Sequence, residues 1–128
     1  MVVISSTGIS EYGRDIPLAM VPLYHVLLKI PHRDKKAMER IVSKEGRREG
    51  GVFGSWCVVR ASLLKDGGVV GVEKLKIGIE EGENSMSKDS IGYSVSRKDV
   101  GAWIFESLVG NKEGKRGLYL NHCIGITS

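Results

Sequence analysis

The chain has 128 residues, of which 41% are hydrophobic and 27% are charged, and its formal net charge is +4 at pH 7. This length fits one domain, and this balance predicts a packed core rather than a disordered or fibrous chain. No apolar run is long enough to cross a bilayer, and the N-terminus lacks the basic and long apolar regions of a signal peptide. The composition therefore predicts a soluble, cytoplasmic protein.

A short β-branched run opens the chain at Val2–Ile4 and ends in the small polar residues of Ser5–Gly8. This pattern is typical of a buried parallel strand that ends at a ligand-binding face. Buried parallel strands are normally reached by a crossover from an earlier strand of the same sheet. We therefore expect that upstream sequence is missing from this chain.

Helical patterns come next. Residues 16–30 are apolar with two prolines, which predicts one or two short helices. Pro31 suits the first position of a further helix that runs through Ser43. A second apolar run at Ser55–Arg60 then predicts another buried strand. The order strand, helix, strand predicts a parallel βαβ unit and an α/β fold.

The second half of the chain gives weaker strand signals. Val72–Ile79 is compatible with a short strand inside a Gly- and Glu-rich region that extends to Lys88, and Ile91–Val95 alternates as a strand does. We expect a last strand at Leu118–Leu120. The segment Cys123–Ile126 either continues that strand or forms its neighbour.

A helix start is predicted at Ser96, because Asp99 follows it at the spacing of a capping box and an apolar helical face comes after. Gly110 is expected to end this helix. For Asp99 we favour the structural role of capping helix N–H groups over a catalytic role.

Other chemistry finds little support in the sequence. Cys57 and Cys123 lack CxxC spacing, and His25 and His122 have no second ligand at metal spacing, so we expect neither a disulfide nor a metal site. The basic stretch Lys29–Arg48 lacks interleaved aromatic residues and any nucleic-acid-binding motif. We expect no nucleic-acid partner and no membrane partner.

A glycine-rich phosphate loop is also missing. Such a loop lies between a strand and a helix, so that backbone amides at the helix N-terminus approach the pyrophosphate. The nearest imitation, Gly67–Gly71, follows Lys65 and Asp66 rather than a strand, and Lys74 stands where a third glycine belongs. A flexible turn is the better interpretation.

Four segments in order resemble successive landmarks of atypical short-chain dehydrogenases, namely Val2–Gly8, His32–Lys36, Val58–Leu64 and Ser96–Gly101. Within that group the chain is most similar to NmrA-like and flavin-reductase or biliverdin-reductase-like proteins. The resemblance implies that residues 1–128 form a single domain, the C-terminal half of an NAD(P)-binding Rossmann-like domain. Its partial parallel sheet, with flanking helices, would lack the first βαβ strands.

The resemblance also implies a catalytic group. In the wider family a Ser or Thr follows the fourth strand, and the next helix carries a Tyr and, four residues later, a Lys. The matching residues here are Ser6 or Thr7, His32 and Lys36. His32 stands where the family has Tyr, and an imidazole is a different acid from a phenol.

The cofactor implied by the resemblance is NADP or NAD. Lys36 would hydrogen-bond the nicotinamide ribose, and Ala61, Ser62 and Leu63 would pack beside the nicotinamide ring. Binding by this chain alone is expected to be weak or absent, because the pyrophosphate loop would belong to the missing half.

The leading functional expectation is a truncated, NAD(P)-binding oxidoreductase domain with weak or no activity on a small-molecule substrate. The alternative is a non-catalytic, NmrA-like regulatory or protein-interaction module, since a fold alone does not decide function. A third expectation is self-association through an uncovered sheet edge.

Overall fold

The computed structural model describes residues 1–9, 16–27, 29–80, 91–112 and 114–128. The strands within these ranges are β1 (Val2–Ser6), β2 (Cys57–Ala61), β3 (Leu63–Lys65), β4 (Lys76–Glu80), β5 (Ser94–Ser96) and β6 (His122–Thr127). The α-helices are α1 (Val21–Leu27), α2 (Lys29–Arg47), α3 (Arg97–Trp103) and α4 (Arg116–Tyr119). Short 3-10 helices occupy Leu18–Met20 and Val72–Lys74, and a π-helical segment at Ile104–Val109 continues α3.

The main sheet has the strand order β1-β2-β6-β4. Strands β1, β2 and β6 are parallel, with Val3 opposite Val58 and Val58 opposite Cys123, whereas β4 runs antiparallel to β6. Because α2 lies between β1 and β2 in the sequence, these three elements form the predicted parallel βαβ unit. The α/β class and the partial, parallel-rich Rossmann-type sheet are confirmed.

Both faces of the sheet carry a core, because alternate residues of each strand point to opposite faces. On the face that meets α2, Val42, Trp56 and Val58 are buried together, with Met38 packed against them. On the other face, α3 and its π-helical continuation supply Val100, Trp103 and Leu108, and the strands supply Cys57, Val59, Ala61, Ile124 and Ile126. Helices therefore cover the sheet on both sides.

The predicted helices are present, with one shifted start. Helix α2 spans Lys29–Arg47, so Pro31 lies inside it rather than at its first position, and the helix continues past Ser43. The helix predicted from Ser96 is also present, and Gly110 caps its π-helical end.

The strand expected at Leu118–Leu120 is wrong, because Arg116–Tyr119 is helical. The side chain of Asn111 accepts a hydrogen bond from the Arg116 N–H at 2.9 Å, which favours a turn of helix there. Asn121 then adopts a positive φ of 66° and directs the chain into β6. The alternative placed at Cys123–Ile126 is confirmed as part of β6.

Two strand predictions were too long. In Val72–Ile79 only the part from Lys76 is a strand, and the start of the segment is the 3-10 helix Val72–Lys74. In Ile91–Val95 the strand begins at Ser94, where β5 pairs in parallel with β3 to form a separate two-stranded sheet. The end of the Gly- and Glu-rich region, from residue 81, lies outside the described residues.

Candidate functional site

A cavity of about 240 Å³ opens at the carboxyl ends of β1 and β2. Ligands of open parallel sheets bind in this position, outside the carboxyl ends of the strands. We call it the strand-end cavity, and its lining residues are Ser5, Ser6, Pro31, His32, Lys35, Ala61, Ser62, Leu63, Leu64 and Arg97. It brings together two strand ends, the first turns of α2 and the start of α3.

Four hydroxyl groups at the strand ends stand out, because among the described residues they are buried without a hydrogen-bond partner. They are the Oγ atoms of Ser5, Ser6 and Ser62 and the Oγ1 atom of Thr7. Three of these side chains line the strand-end cavity. A buried polar atom without a partner costs about 1–3 kcal/mol, and a hydroxyl that lines a cavity can donate to or accept from a ligand bound there.

Backbone hydrogen bonds fix the positions of these hydroxyls. The Thr7 N–H donates to the Ala61 carbonyl oxygen at 3.1 Å, and the Ser62 N–H donates to the Ile126 carbonyl oxygen at 3.0 Å. Both bonds continue the parallel ladder one residue past β1 and β2. The backbone at these two strand ends is therefore held in the ladder, which suits a preorganised site.

The structure gathers most of the sequence-predicted site residues but separates Lys36 from them. Ser6 and His32 line the strand-end cavity together with Ala61, Ser62 and Leu63, whereas Lys36 lines a different cavity of about 100 Å³. Thr7 is buried at the end of β1 and is not a lining residue. The lysine of α2 that lines the strand-end cavity is Lys35.

Two cationic residues of the cavity, Lys35 and Arg97, were not singled out from the sequence. Arg97 donates from Nη1 to Asp66 Oδ1 at 2.7 Å. The Arg97 side chain is 54% exposed and the Asp66 side chain is 90% exposed. The sequence signal that could have identified Arg97 is its position directly after Ser96, the predicted helix start. First-turn residues of a helix lie near the end of the strand that precedes the helix.

Asp99 has a structural role, but a different one from the role predicted. Its carboxylate accepts hydrogen bonds from the backbone N–H groups of Val70 at 3.0 Å and Gly71 at 3.2 Å. The helix cap is supplied by Ser96, whose Oγ accepts from the Lys98 N–H at 3.2 Å. Asp99 is fully buried and ties the loop before the Val72–Lys74 helix to α3.

The second cavity, which Lys36 lines, has a buried ion triad of Arg60, Glu39 and Glu80 in its wall. Arg60 Nη2 lies 2.8 Å from Glu39, and Arg60 Nη1 lies 2.6 Å from Glu80. Burial alone would lower the pKa of Arg60, but the hydrogen bond and the charge of Glu39 outweigh it and raise that pKa above its usual value. Arg60 is therefore a permanent cation.

Within the described ranges, no three His, Cys, Asp or Glu side chains cluster as metal ligands would. Cys57 and Cys123 are free thiols. None of the described helices combines the length and the apolar composition needed to cross a bilayer.

No family model matches the chain. Reductase pytE of Aspergillus terreus is 41% identical over 132 residues, which cover 99% of this chain and 47% of that protein. Oxidase pynE of Aspergillus niger is 34% identical over 116 residues, which cover 85% of this chain and 39% of that protein. The chain thus spans about half the length, or less, of the curated relatives it matches.

Solved structures define the class of fold. A wide-type short-chain dehydrogenase/reductase from Veillonella parvula, solved in complex with NADP, superposes with a TM-score of 0.67 at 17% identity. An ethylated form of such a protein from the same organism gives 0.66 at 16% identity. Each match covers 99% of this chain and 49% of the solved chain. The chain has the fold of part of a short-chain dehydrogenase/reductase, which confirms the predicted resemblance.

Proposed function

We propose that this chain forms the nicotinamide- and substrate-facing part of an NAD(P)-dependent oxidoreductase domain that acts on a small molecule. The observation that carries the proposal is a set of hydroxyls in the strand-end cavity that have no hydrogen-bond partner among the described residues, namely those of Ser5, Ser6 and Ser62. The similarity to a reductase and an oxidase, and the fold shared with an NADP-bound dehydrogenase, support it.

The residues of the strand-end cavity fit the nicotinamide end of such a cofactor. A nicotinamide carboxamide and its ribose carry donors and acceptors that serine hydroxyls can satisfy, since a hydroxyl both donates and accepts. The apolar wall at Ala61, Leu63 and Leu64 suits the flat face of a ring. When bound, the cofactor would supply the hydride chemistry.

The glycine segment Gly67–Gly71 does not fit the pyrophosphate end. Gly67, Gly68 and Gly71 have positive φ values of 77°, 62° and 95°, as turns require, but the loop leads from β3 into a three-residue 3-10 helix. Asp99 already takes the N–H groups of Val70 and Gly71. We assign no pyrophosphate site to this loop, in agreement with its interpretation as a turn. The expectation that no strand precedes the loop is wrong, because β3 ends at Lys65.

The chain's own residues take the following proposed roles. Ser6, or Thr7 as the alternative, orients the substrate oxygen at the end of β1, and His32, which lines the cavity, holds a proton. Ala61, Ser62 and Leu63 form the wall beside the nicotinamide. We keep Lys36 as the ribose ligand of the proposal. Lys35 is the alternative ribose ligand, because it lines the strand-end cavity.

The proposal is tested by NMR titration of the ¹⁵N-labelled chain with nicotinamide mononucleotide and, as the matched control, with 2′,5′-ADP. The nicotinamide half should shift the amides of Ser6, Ser62 and Leu63, and the adenosine half should leave them in place. Comparing Lys35→Met with Lys36→Met identifies the lysine that contributes to binding. A folded chain whose strand-end amides respond to neither nicotinamide mononucleotide nor NADPH would overturn the proposal.

A second candidate is a non-catalytic module that pairs with a second copy of itself. Among the described strands β1 has a neighbour, β2, on one side, and its apolar side chains Val2 and Ile4 are 40% and 53% exposed. Exposed parallel edges of this kind invite pairing. Sedimentation velocity would show a dimer that an Ile4→Lys substitution dissociates. A chain that stays monomeric at high micromolar concentration contradicts this candidate.

A further inference from the structure

We infer that the strand-end cavity selects a small substrate that carries an anionic oxygen, such as a carboxylate or an enolate, and that Arg97 is the residue that reads this charge. The inference rests on the proposed function, because it names the substrate class of the same site. Its first support is the charge of the lining: Lys35 and Arg97 are cationic, and no aspartate or glutamate is among the described residues that line the cavity.

The present partner of Arg97 is an exchangeable one. Asp66 is 90% exposed and Arg97 is 54% exposed, so water screens their 2.7 Å ion pair strongly. An anion inside the cavity would be shielded from water on one side and would interact more strongly with the same guanidinium. Arg97 can therefore leave Asp66 for a bound anion at little cost.

The hydroxyls that lack a hydrogen-bond partner among the described residues supply the second support. Ser5 and Ser62 are buried, with 2% and 3% of their surface exposed, and their Oγ atoms lack a partner among the described residues. A hydroxyl can donate to an anionic oxygen, and hydrogen bonds to charged acceptors are roughly twice as strong as neutral ones. The exposed guanidinium of Arg97 and the buried hydroxyl donors of Ser5 and Ser62 together form an anion site.

Arg97 is also separable from the fold, which makes the inference testable. Its side chain is exposed, and the N-terminal cap of α3 is the Oγ atom of Ser96. Removing the guanidinium breaks one exposed ion pair with Asp66, and so does removing the carboxylate of Asp66. The substitutions Arg97→Gln and Asp66→Asn therefore break the same exposed ion pair, but the first removes a cation from the cavity lining and the second releases that cation from its partner.

The experiment is an NMR titration of the full chain with benzoate and with its neutral counterpart, benzamide. We expect benzoate to shift the amides of Ser62 and Leu63 and to bind about tenfold more tightly than benzamide, as one charge-assisted hydrogen bond allows. Arg97→Gln should abolish this preference. Asp66→Asn should leave it intact or increase it, because the competing carboxylate is gone.

Three results would overturn the inference: equal binding of benzoate and benzamide, a preference that survives in Arg97→Gln, or amides at the strand ends that respond to inorganic pyrophosphate but not to benzoate. The last result would indicate that the cationic residues of the cavity bind the phosphates of the cofactor rather than an anionic substrate. The proposed function fails separately, if the strand-end amides respond to neither nicotinamide mononucleotide nor NADPH while the preference for benzoate persists.

Discussion

Arg60 of β2 makes three N–H···O contacts with the carboxylate of Glu39 on α2: its single Nε–H is shared between Oε1 at 3.1 Å and Oε2 at 3.2 Å, and Nη2 donates to Oε2 at 2.8 Å. A fourth bond, from Nη1, reaches Glu80 of β4 at 2.6 Å. Arg60 lies opposite Gly125, which in turn lies opposite Gly78. With no side chains at these two positions, the guanidinium can cross β6. The Arg60 guanidinium thereby fixes α2, which carries His32 and Lys35, against the sheet.

The charges of the triad predict an order of stability losses. Arg60→Met leaves the buried carboxylates of Glu39 and Glu80 without its charge and should lower the free energy of unfolding by about 3–5 kcal/mol. Glu39→Gln leaves Arg60 paired with Glu80 and should cost less, about 1.5–3 kcal/mol for a lost charged hydrogen bond. Urea unfolding at pH 7 measures both. The control is the pair of exposed Arg48 and half-buried Glu45, at 3.8 Å, and Arg48→Met should cost less than about 1 kcal/mol. Equal losses in Arg60→Met and Arg48→Met would contradict the argument.

The two thiols predict a decline in stability at alkaline pH. Burial raises the pKa of both Cys57 and Cys123 from 9.0 to about 12. The unfolded chain therefore releases these protons at a lower pH than the folded chain does. The contribution of the two thiols to the free energy of unfolding is fully present below pH 9 and is lost as the pH rises toward 12. Urea unfolding between pH 8 and about 10.5 should show this fall, and Cys57→Ala should reduce its slope. Rapid alkylation of both thiols in the folded chain at pH 8 would argue against it.

Asp99 and Ser96 should be separable by hydrogen exchange. Asp99→Ala removes the acceptor of the Val70 and Gly71 N–H groups, so their exchange should accelerate about tenfold or more, as the loss of a hydrogen bond to a charged group predicts. Ser96→Ala removes the helix cap and should lower the free energy of unfolding by about 1 kcal/mol. Ser96→Ala should not accelerate exchange at Val70 and Gly71 more than at other amides. If the two variants give the same exchange pattern, the loop is not held by Asp99.

Two helical glycines should respond in opposite ways to alanine. A Cβ at Gly46 would overlap the indole ring of Trp56, so Gly46→Ala should destabilise the chain by about 1–3 kcal/mol. A Cβ at Gly101 on α3 would meet open space, and Gly101→Ala should stabilise by about 0.5–1 kcal/mol. Thermal unfolding followed by circular dichroism compares the two. A stabilised Gly46→Ala variant would show that Trp56 does not pack on α2 in this way.

The sequence was sufficient where one physical signal dominated. The β-branched runs at Val2–Ile4 and Val58–Val59 have few alternatives to buried strands, and their order around α2 implied the parallel unit. The strand prediction at Leu118–Leu120 was wrong because three apolar residues fit a helix as well as a strand. The hydrogen bond from Arg116 to Asn111, which favours the helix, cannot be inferred from the hydrophobic pattern of the sequence.

The candidate site was predictable to the extent that it lies at strand ends. Ser6, Ser62 and Leu63 follow or end recognisable strands, so their meeting in one cavity could be expected. Lys35 could not be distinguished from Lys36, because adjacent helical residues point about 100° apart and the rotation of α2 is set by tertiary contacts. Arg60–Glu39 is such a contact, and nothing in the sequence pairs residues 21 positions apart.

The position of β6 in the sheet has a consequence for biosynthesis. It lies between β2 and β4, yet it follows every other described strand in the sequence. While the ribosome is still adding residues 81–121, β2 has no neighbour on one side, and the fully buried run Cys57–Ala61 is open to other nascent chains. The main sheet can close only after translation of His122–Thr127. We therefore expect the nascent chain to depend on chaperone protection until that point.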